Sequence, residues 1–263
     1  MQTLCEKLRL YMLVTHMKVD ILASGSSGNC IALTTNETTI LIDAGIAKTK
    51  IEKRLLEVGI TPNSVKAIFV THAHSDHIKG LPLANKYKIP VYAGEREWKN
   101  ITTVEDELIR PIGVGGIFGC GHLIVSHFNV HHDAIDPKGY VVWTLDNFKV
   151  SICLDTGKVD KEMLQHMQGS DIYIIEANHE PRMVEASDYP NSVKARILSH
   201  VGHLSNEQTA TALKELVRGK GERIYLTHLS SKNNLPTLAE MTVKRELLKK
   251  GYQAGRHYEL EVI

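Results

Sequence analysis

Apolar and polar positions along this chain follow two alternating periods. Short apolar runs occupy residues 19–22, 31–34, 39–42 and 67–70, and again 140–145, 149–154, 172–175, 224–226 and 258–262. Runs of this kind, bounded by Gly, Asn, Asp and Ser, predict strands. Residues 31–34 and 39–42 flank Thr35-Asn36-Glu37 as an antiparallel pair, and residues 140–145 and 149–154 form a hairpin around Asp146-Asn147. Ala67-Ile68-Phe69-Val70 and Ile172-Tyr173-Ile174-Ile175 contain no charged residue, which predicts burial on both faces.

Helical periods lie between these runs. Ile51, Leu55, Leu56 and Val58 mark a helix over residues 47–58, stopped by Gly59 and Pro62. A second helix covers residues 205–217, with Ser205 as N-cap and Gln208 completing a capping box. A last one covers residues 238–250. Strands and helices interleaved in this way predict an α/β fold with helices outside packed sheets. No linker, internal repeat or low-complexity segment divides residues 17–263, which are read as one domain. Residues 1–16 are read as a leader or extended start, because residues 10–14 are too short for the core of a signal peptide and no cleavage site follows. No uncharged run reaches membrane-spanning length, so no membrane partner is expected.

Composition narrows the picture only slightly. With 43% hydrophobic and 23% charged residues the chain falls among globular proteins. A net charge of +1 neither identifies nor excludes a nucleic-acid partner, since a local patch acts independently of the total. From Tyr189 onward twelve Lys and Arg face seven acidic residues, whereas the remainder carries 19 basic against 23 acidic residues. Such a section either tracks a phosphate backbone or forms a solvated helix face. Cys5, Cys30, Cys120 and Cys153 lie far apart without a Cys-x-x-Cys pair, which argues against a zinc knuckle or disulfide framework and for a reducing, cytoplasmic setting.

Histidine carries the chemistry: the chain holds 14, well above ordinary usage. Four ligand-type residues, His72, His74, Asp76 and His77, fall within six positions directly after the strand at 67–70. Residues i and i+2 of an extended backbone face the same way, so His72 and His74 can converge on one metal. Asp76 and His77 lie past a bend and address a neighbouring position. Four ligands on a single ion would close it, whereas catalysis needs an open position and often a second ion. More ligand types stand at strand ends, namely the pair His131-His132, Asp155 and His228. In open α/β sheets, sites gather at the carboxyl ends of strands.

His72-Ala73-His74-Ser75-Asp76-His77 after a buried strand resembles the signature of the metallo-β-lactamase superfamily, and Asp155 and His228 match its downstream motifs in order. Within that superfamily the chain resembles the YycJ/WalJ branch of bacterial nucleases from Met17 onward. The resemblance rests on Gly25-Ser26-Ser27-Gly28-Asn29, His132-Asp133-Ala134-Ile135-Asp136-Pro137, Gly202-His203-Leu204-Ser205-Asn206-Glu207 and His228-Leu229-Ser230-Ser231-Lys232-Asn233-Asn234. It implies a four-layer αββα sandwich, two mixed sheets face to face with helices outside. It also implies two divalent ions, drawn from Zn2+, Mn2+ or Fe2+. One would be held by His72, His74 and His132, the other by Asp76, His77 and His228, with Asp155 bridging. The activity implied is that of a phosphodiesterase, a 5′→3′ exonuclease on DNA rather than RNA, acting through a metal-bridging hydroxide that Asp76 orients. His203 would contact the scissile phosphate or protonate the leaving oxygen, and Glu176 would orient it. His200 departs from the branch, whose members often carry another polar residue there.

Two rival readings share these features. A glyoxalase-like thioester hydrolase uses the same six-residue pattern, but is not expected to carry the motifs around His203 and His228. A non-catalytic, metal-dependent regulatory protein would have no need of so complete a ligand set. The stretch of about seventy residues between Asp155 and His228 leaves no room for a large inserted domain, so a compact enzyme with an open groove is expected. The glycines at 113, 115, 116 and 119 read as a loop, Gly25 and Gly28 as a tight turn, and Asp43 as a structural aspartate or, failing that, a support behind the ligands. His131, His122, His127, His166 and His257 read as ordinary residues, and His179 as site lining or nothing.

Overall fold

The computed structural model describes residues 17–263; the expectation of a leader over residues 1–16 falls outside them. Two sheets form in chain order. The first joins β1 (Lys18–Ala23), β2 (Cys30–Thr34), β3 (Thr39–Ile42), β4 (Val65–Phe69), β5 (Val91–Gly94) and β6 (Ile109–Ile112), each beside its successor. The second joins β7 (Ile117–Cys120), β8 (Leu123–Asn129), β9 (Lys138–Thr144), β10 (Lys149–Cys153), β11 (Ile172–Glu176), β12 (Glu222–Thr227) and β13 (Tyr258–Val262) in the same manner. Each sheet begins antiparallel and turns parallel, the first from β3 onward and the second from β10 onward. The carboxyl ends of β3, β4, β10, β11 and β12 carry the residues of interest.

The layers follow from strand alternation. In β11, Ile172 and Ile174 enter the core between the sheets, while Tyr173 and Ile175 enter the core beneath the helices. In β3, Ile40 and Ile42 face the other sheet and Leu41 faces the helix Lys48–Glu57, which contributes Ile51 and Leu55. One inter-sheet core and two helix-side cores make four layers, αββα, and explain why β3 and β11 read as unbroken apolar runs. Each fully enclosed Ile or Leu contributes about 1.5–3 kcal/mol through burial. Tyr140 of β9 spans the inter-sheet core and donates to the Val70 carbonyl at 2.6 Å, pinning the end of β4 just ahead of His72.

The elements read from sequence form with shifts of one or two residues, and the capping box of Ser205 and Gln208 is present on the helix Asn206–Leu216. Strands β5, β6, β7 and β8 were not expected. The glycine segment at 113–116 is the link by which the chain leaves the first sheet for the second. Among the described residues no helix is long and apolar enough to cross a membrane.

Candidate metal centre

Three residues at strand exits adopt left-handed backbone: Asp43 (φ 61°) after β3, Asp155 (φ 47°) after β10 and His228 (φ 55°) after β12. This conformation is uncommon outside glycine and asparagine. It turns each side chain off its sheet toward one shared point, at a cost of order 1–3 kcal/mol per residue.

His72 and His74 follow β4, His74 on extended backbone, and the short helix Ser75–Ile78 then carries Asp76 and His77. Gly45 permits that helix to settle, since a Cβ there would meet the Asp76 carbonyl at 1.6 Å. The turn at residues 25–28 docks on the same spot: Asn29 donates its backbone N–H to the Asp76 carbonyl at 2.8 Å. His132, from the loop after β8, completes a first group of ring nitrogens. His72 Nε2 lies 2.9 Å and His132 Nε2 3.3 Å from His74 Nδ1. Asp76, His77 and His228 form a second group, with Asp76 Oδ2 at 3.6 Å from His77 Nε2 and 3.9 Å from His228 Nε2. Asp155 Oδ2 stands between the groups, 3.8 Å from His72 Nε2 and 2.6 Å from His77 Nε2.

The far nitrogens are occupied by the protein, which fixes where the near ones point. His132 Nδ1 faces the Gly202 carbonyl at 3.2 Å, His72 Nδ1 faces the Thr71 hydroxyl at 3.1 Å, and His77 Nδ1 faces Asp43 at 2.7 Å. His228 Nε2 is buried without a hydrogen-bond partner among the described residues. Inward-facing imidazole nitrogens and carboxylates, one of them orphaned, form a donor set that suits a divalent cation.

Electrostatics divide the imidazoles. Burial pushes His72 and His132 down, leaving them neutral near pH 7. At His77 burial opposes the charge, but Asp43 and Asp155 outweigh it and carry the ring up to about 10. His228 is raised as well, Asp155 overcoming burial. Burial also disfavours ionised Asp155, yet His228 and His77 hold its carboxyl well below the usual range. His203, ahead of the helix Asn206–Leu216, faces Glu176 Oε2 at 3.0 Å and Asp155 Oδ1 at 3.1 Å through Nδ1. Burial opposes its charge, while Glu176 with Asp155 carries it up to about 9.

An open cleft of about 450 Å³ lies over this cluster, lined by His74, Asp76, His132, Asp155, His203 and His228, with Tyr189 and Arg196 on its wall. All the residues singled out as ligands meet here, together with His203 and Glu176. His131 stands apart, bound to Asp160 at 2.6 Å, and His179 is buried outside the donor groups. Asp43, open between a structural role and a support behind the ligands, grips both Thr71 and His77. Glu97 gave no signal in the sequence. Buried, it accepts from Ala73 N at 2.9 Å and Asp136 N at 2.5 Å, tying the His72/His74 segment to the His132 loop. Of the twelve Lys and Arg of the C-terminal section, Lys214, Arg218, Lys244, Arg245 and Lys249 pair with glutamates.

Residues 38–229 match the model of the β-lactamase superfamily domain. The chain is 39% identical over 248 residues to exodeoxyribonuclease YycJ of Bacillus anthracis, covering 91% of this chain and 92% of that one. It is 36% identical over 250 residues to exodeoxyribonuclease WalJ of Streptococcus pneumoniae, covering 92% and 93%. The crystal structure of the metallo-β-lactamase fold protein YhfI from Bacillus subtilis superposes with a TM-score of 0.69 at 15% identity, covering 94% of this chain and 95% of that one, a likeness of fold. The chain thus belongs to the metallo-β-lactamase superfamily and, within it, to the family of YycJ and WalJ.

Proposed function

We propose that this protein is a two-metal phosphodiesterase that removes nucleotides from DNA ends in the 5′→3′ direction. The observation that carries the reading is the pairing of two donor groups about Asp155 Oδ2 at the floor of an open cleft. His72, His74 and His132 would hold one ion and Asp76, His77 and His228 the other, with Asp155 reaching both; zinc, manganese and iron all suit the donors. When bound, such a pair activates water and neutralises charge on the attacking and leaving oxygens of an in-line displacement.

The chain's own residues supply the rest. Asp76 is placed to orient the attacking water at phosphorus. His203 keeps Nδ1 on Glu176 and Asp155, and its Nε2 hands a proton to the departing sugar oxygen as the P–O bond breaks. Glu176 supports the protonated form of that imidazole. DNA is preferred over RNA as substrate because the relatives matched over most of their length are named exodeoxyribonucleases; the polarity rests on the resemblance of the motifs around His132, His203 and His228.

The test is cleavage of end-labelled DNA and RNA with chelator, with re-added Mn2+ or Zn2+, and with Asp76→Asn. Metal-dependent shortening of DNA from the 5′ end is expected. His203→Ala should keep its metal and lose about 10²–10⁴-fold in rate, the usual contribution of a general acid. Thioester hydrolysis with no action on nucleic acid would overturn the proposal.

A further inference from the structure

One wall of the cleft is built by residues 189–197 and contains no ligand of the metal centre. Its helix, Asn191–Ile197, turns Val193, Arg196 and Ile197 toward the cleft, positions that a helical period places on one face. Tyr189 lines the same cleft just ahead of the helix, and the Lys232 ammonium lies 5.5 Å from the centre of its ring. Arg196 is anchored, its Nε donating to Asp133 Oδ2 at 2.5 Å and its Nη2 to Asp133 Oδ1 at 3.2 Å. Asp133 Oδ1 in turn lies 3.2 Å from His132 Nε2. The guanidinium is therefore fixed one side chain away from the centre. Asp133 engages two of its N–H groups, and a guanidinium carries five donors.

An aromatic ring, two aliphatic side chains and a fixed cation match the parts of a nucleotide, a flat base and a charged phosphodiester. We propose that this wall is the subsite for an unpaired nucleotide next to the scissile phosphate. The base stacks on Tyr189 with Val193 and Ile197 beside it, and Arg196 grips the neighbouring phosphodiester. The proposal rests on the nuclease reading and deepens it by naming a single-stranded DNA end as the form the cleft takes. Stacking suits trimming of a DNA end because every base offers a π-face, so grip does not depend on sequence.

The experiment measures binding and turnover separately. Metal-loaded protein is titrated by fluorescence anisotropy with a phosphorothioate-linked single-stranded oligonucleotide that resists cleavage, and kcat and KM are read with the ordinary oligonucleotide. Tyr189→Ala should raise Kd and KM about tenfold, within the range for loss of one base–aromatic stack, while Tyr189→Phe restores both. An abasic residue at the end nucleotide should weaken binding by wild type and leave Tyr189→Ala unchanged. Arg196→Gln should flatten the salt dependence of binding by roughly one phosphate contact. If Tyr189→Ala binds and cleaves as wild type does, the subsite is refuted and the nuclease reading stands. If wild type binds the oligonucleotide in this base-dependent way but never cleaves DNA, the nuclease reading fails, and the wall is a binding site for single-stranded DNA with no scissile phosphate beside it. A wild-type protein that neither binds nor cleaves overturns both.

Discussion

Asp43 Oδ2 lies 2.7 Å from His77 Nδ1, and both side chains are fully enclosed. Burial raises the Asp43 carboxyl despite the opposing pull of His77 and Thr71. A carboxylate on Nδ1 fixes the tautomer that leaves Nε2 free to face Asp76 and Asp155, and it makes that nitrogen more basic. Asp43→Asn keeps the shape and removes the charge. We expect a 10–100-fold loss of metal affinity, the range typical of such outer partners, concentrated in the group of Asp76, His77 and His228. Titration with a competing chelator measures it; an unchanged affinity would leave Asp43 a purely structural role.

Protons and metal compete for the same nitrogens. In the metal-free protein Asp43 and Asp155 carry His77 up to about 10, so that ring holds its proton at pH 7, and Asp155 raises His228 as well. A cation entering between them must displace protons, and affinity therefore rises as pH rises toward 10 and falls below neutrality. Calorimetry in buffers of different ionisation enthalpy should report net release of at least one proton per chain at pH 7. Binding without release would show that these rings are not displaced.

Glu97 joins the two segments that supply the first group of histidines, accepting from Ala73 N and Asp136 N. Glutamine in its place presents an amide N–H to one of those donors and leaves it unsatisfied. Glu97→Gln should cost about 1–3 kcal/mol in denaturant unfolding, the scale of one lost buried hydrogen bond to a charged acceptor. The ion held by His72, His74 and His132 should be released to chelator before its neighbour. Simultaneous loss of both ions would mean that the brace serves the fold at large.

Much of this His/Asp cluster was legible because its members lie in one short run and at the ends of apolar strands. Ala67-Ile68-Phe69-Val70 ahead of His72 identified a strand buried on both faces, and β4 occupies that place. What was left open or escaped notice depends on distant partners. Asp43, after β3, reads as structural or as a support beside the site, and only His77, 34 residues away, decides between them. Glu97 looks like one more charge in Glu95-Arg96-Glu97, yet it is buried because two backbone donors converge on it. Strand β6 holds Arg110 and Pro111 in a run of four residues at a sheet edge, so neither apolar alternation nor propensity marks it. The left-handed backbone at Asp155 and His228 leaves no composition signal, because the surrounding fold imposes it.

The cysteines offer an independent check on the packing. Burial pushes the Cys30 and Cys153 thiols up, and both are fully enclosed, whereas Cys120 is partly exposed. Since the thiolate is the reactive form, Cys120 should be alkylated by iodoacetamide well before Cys30 or Cys153 under native conditions. Peptide mass spectrometry over a time course resolves the order; early labelling of Cys153 would place β10 at the surface.

A metal-soaked crystal, with anomalous scattering recorded at the absorption edge of the bound element, tests the dinuclear centre most directly. Two peaks per chain are expected, one among His72, His74 and His132 and one among Asp76, His77 and His228, with Asp155 touching both. A single peak, or a second ion remote from Asp155, would contradict it.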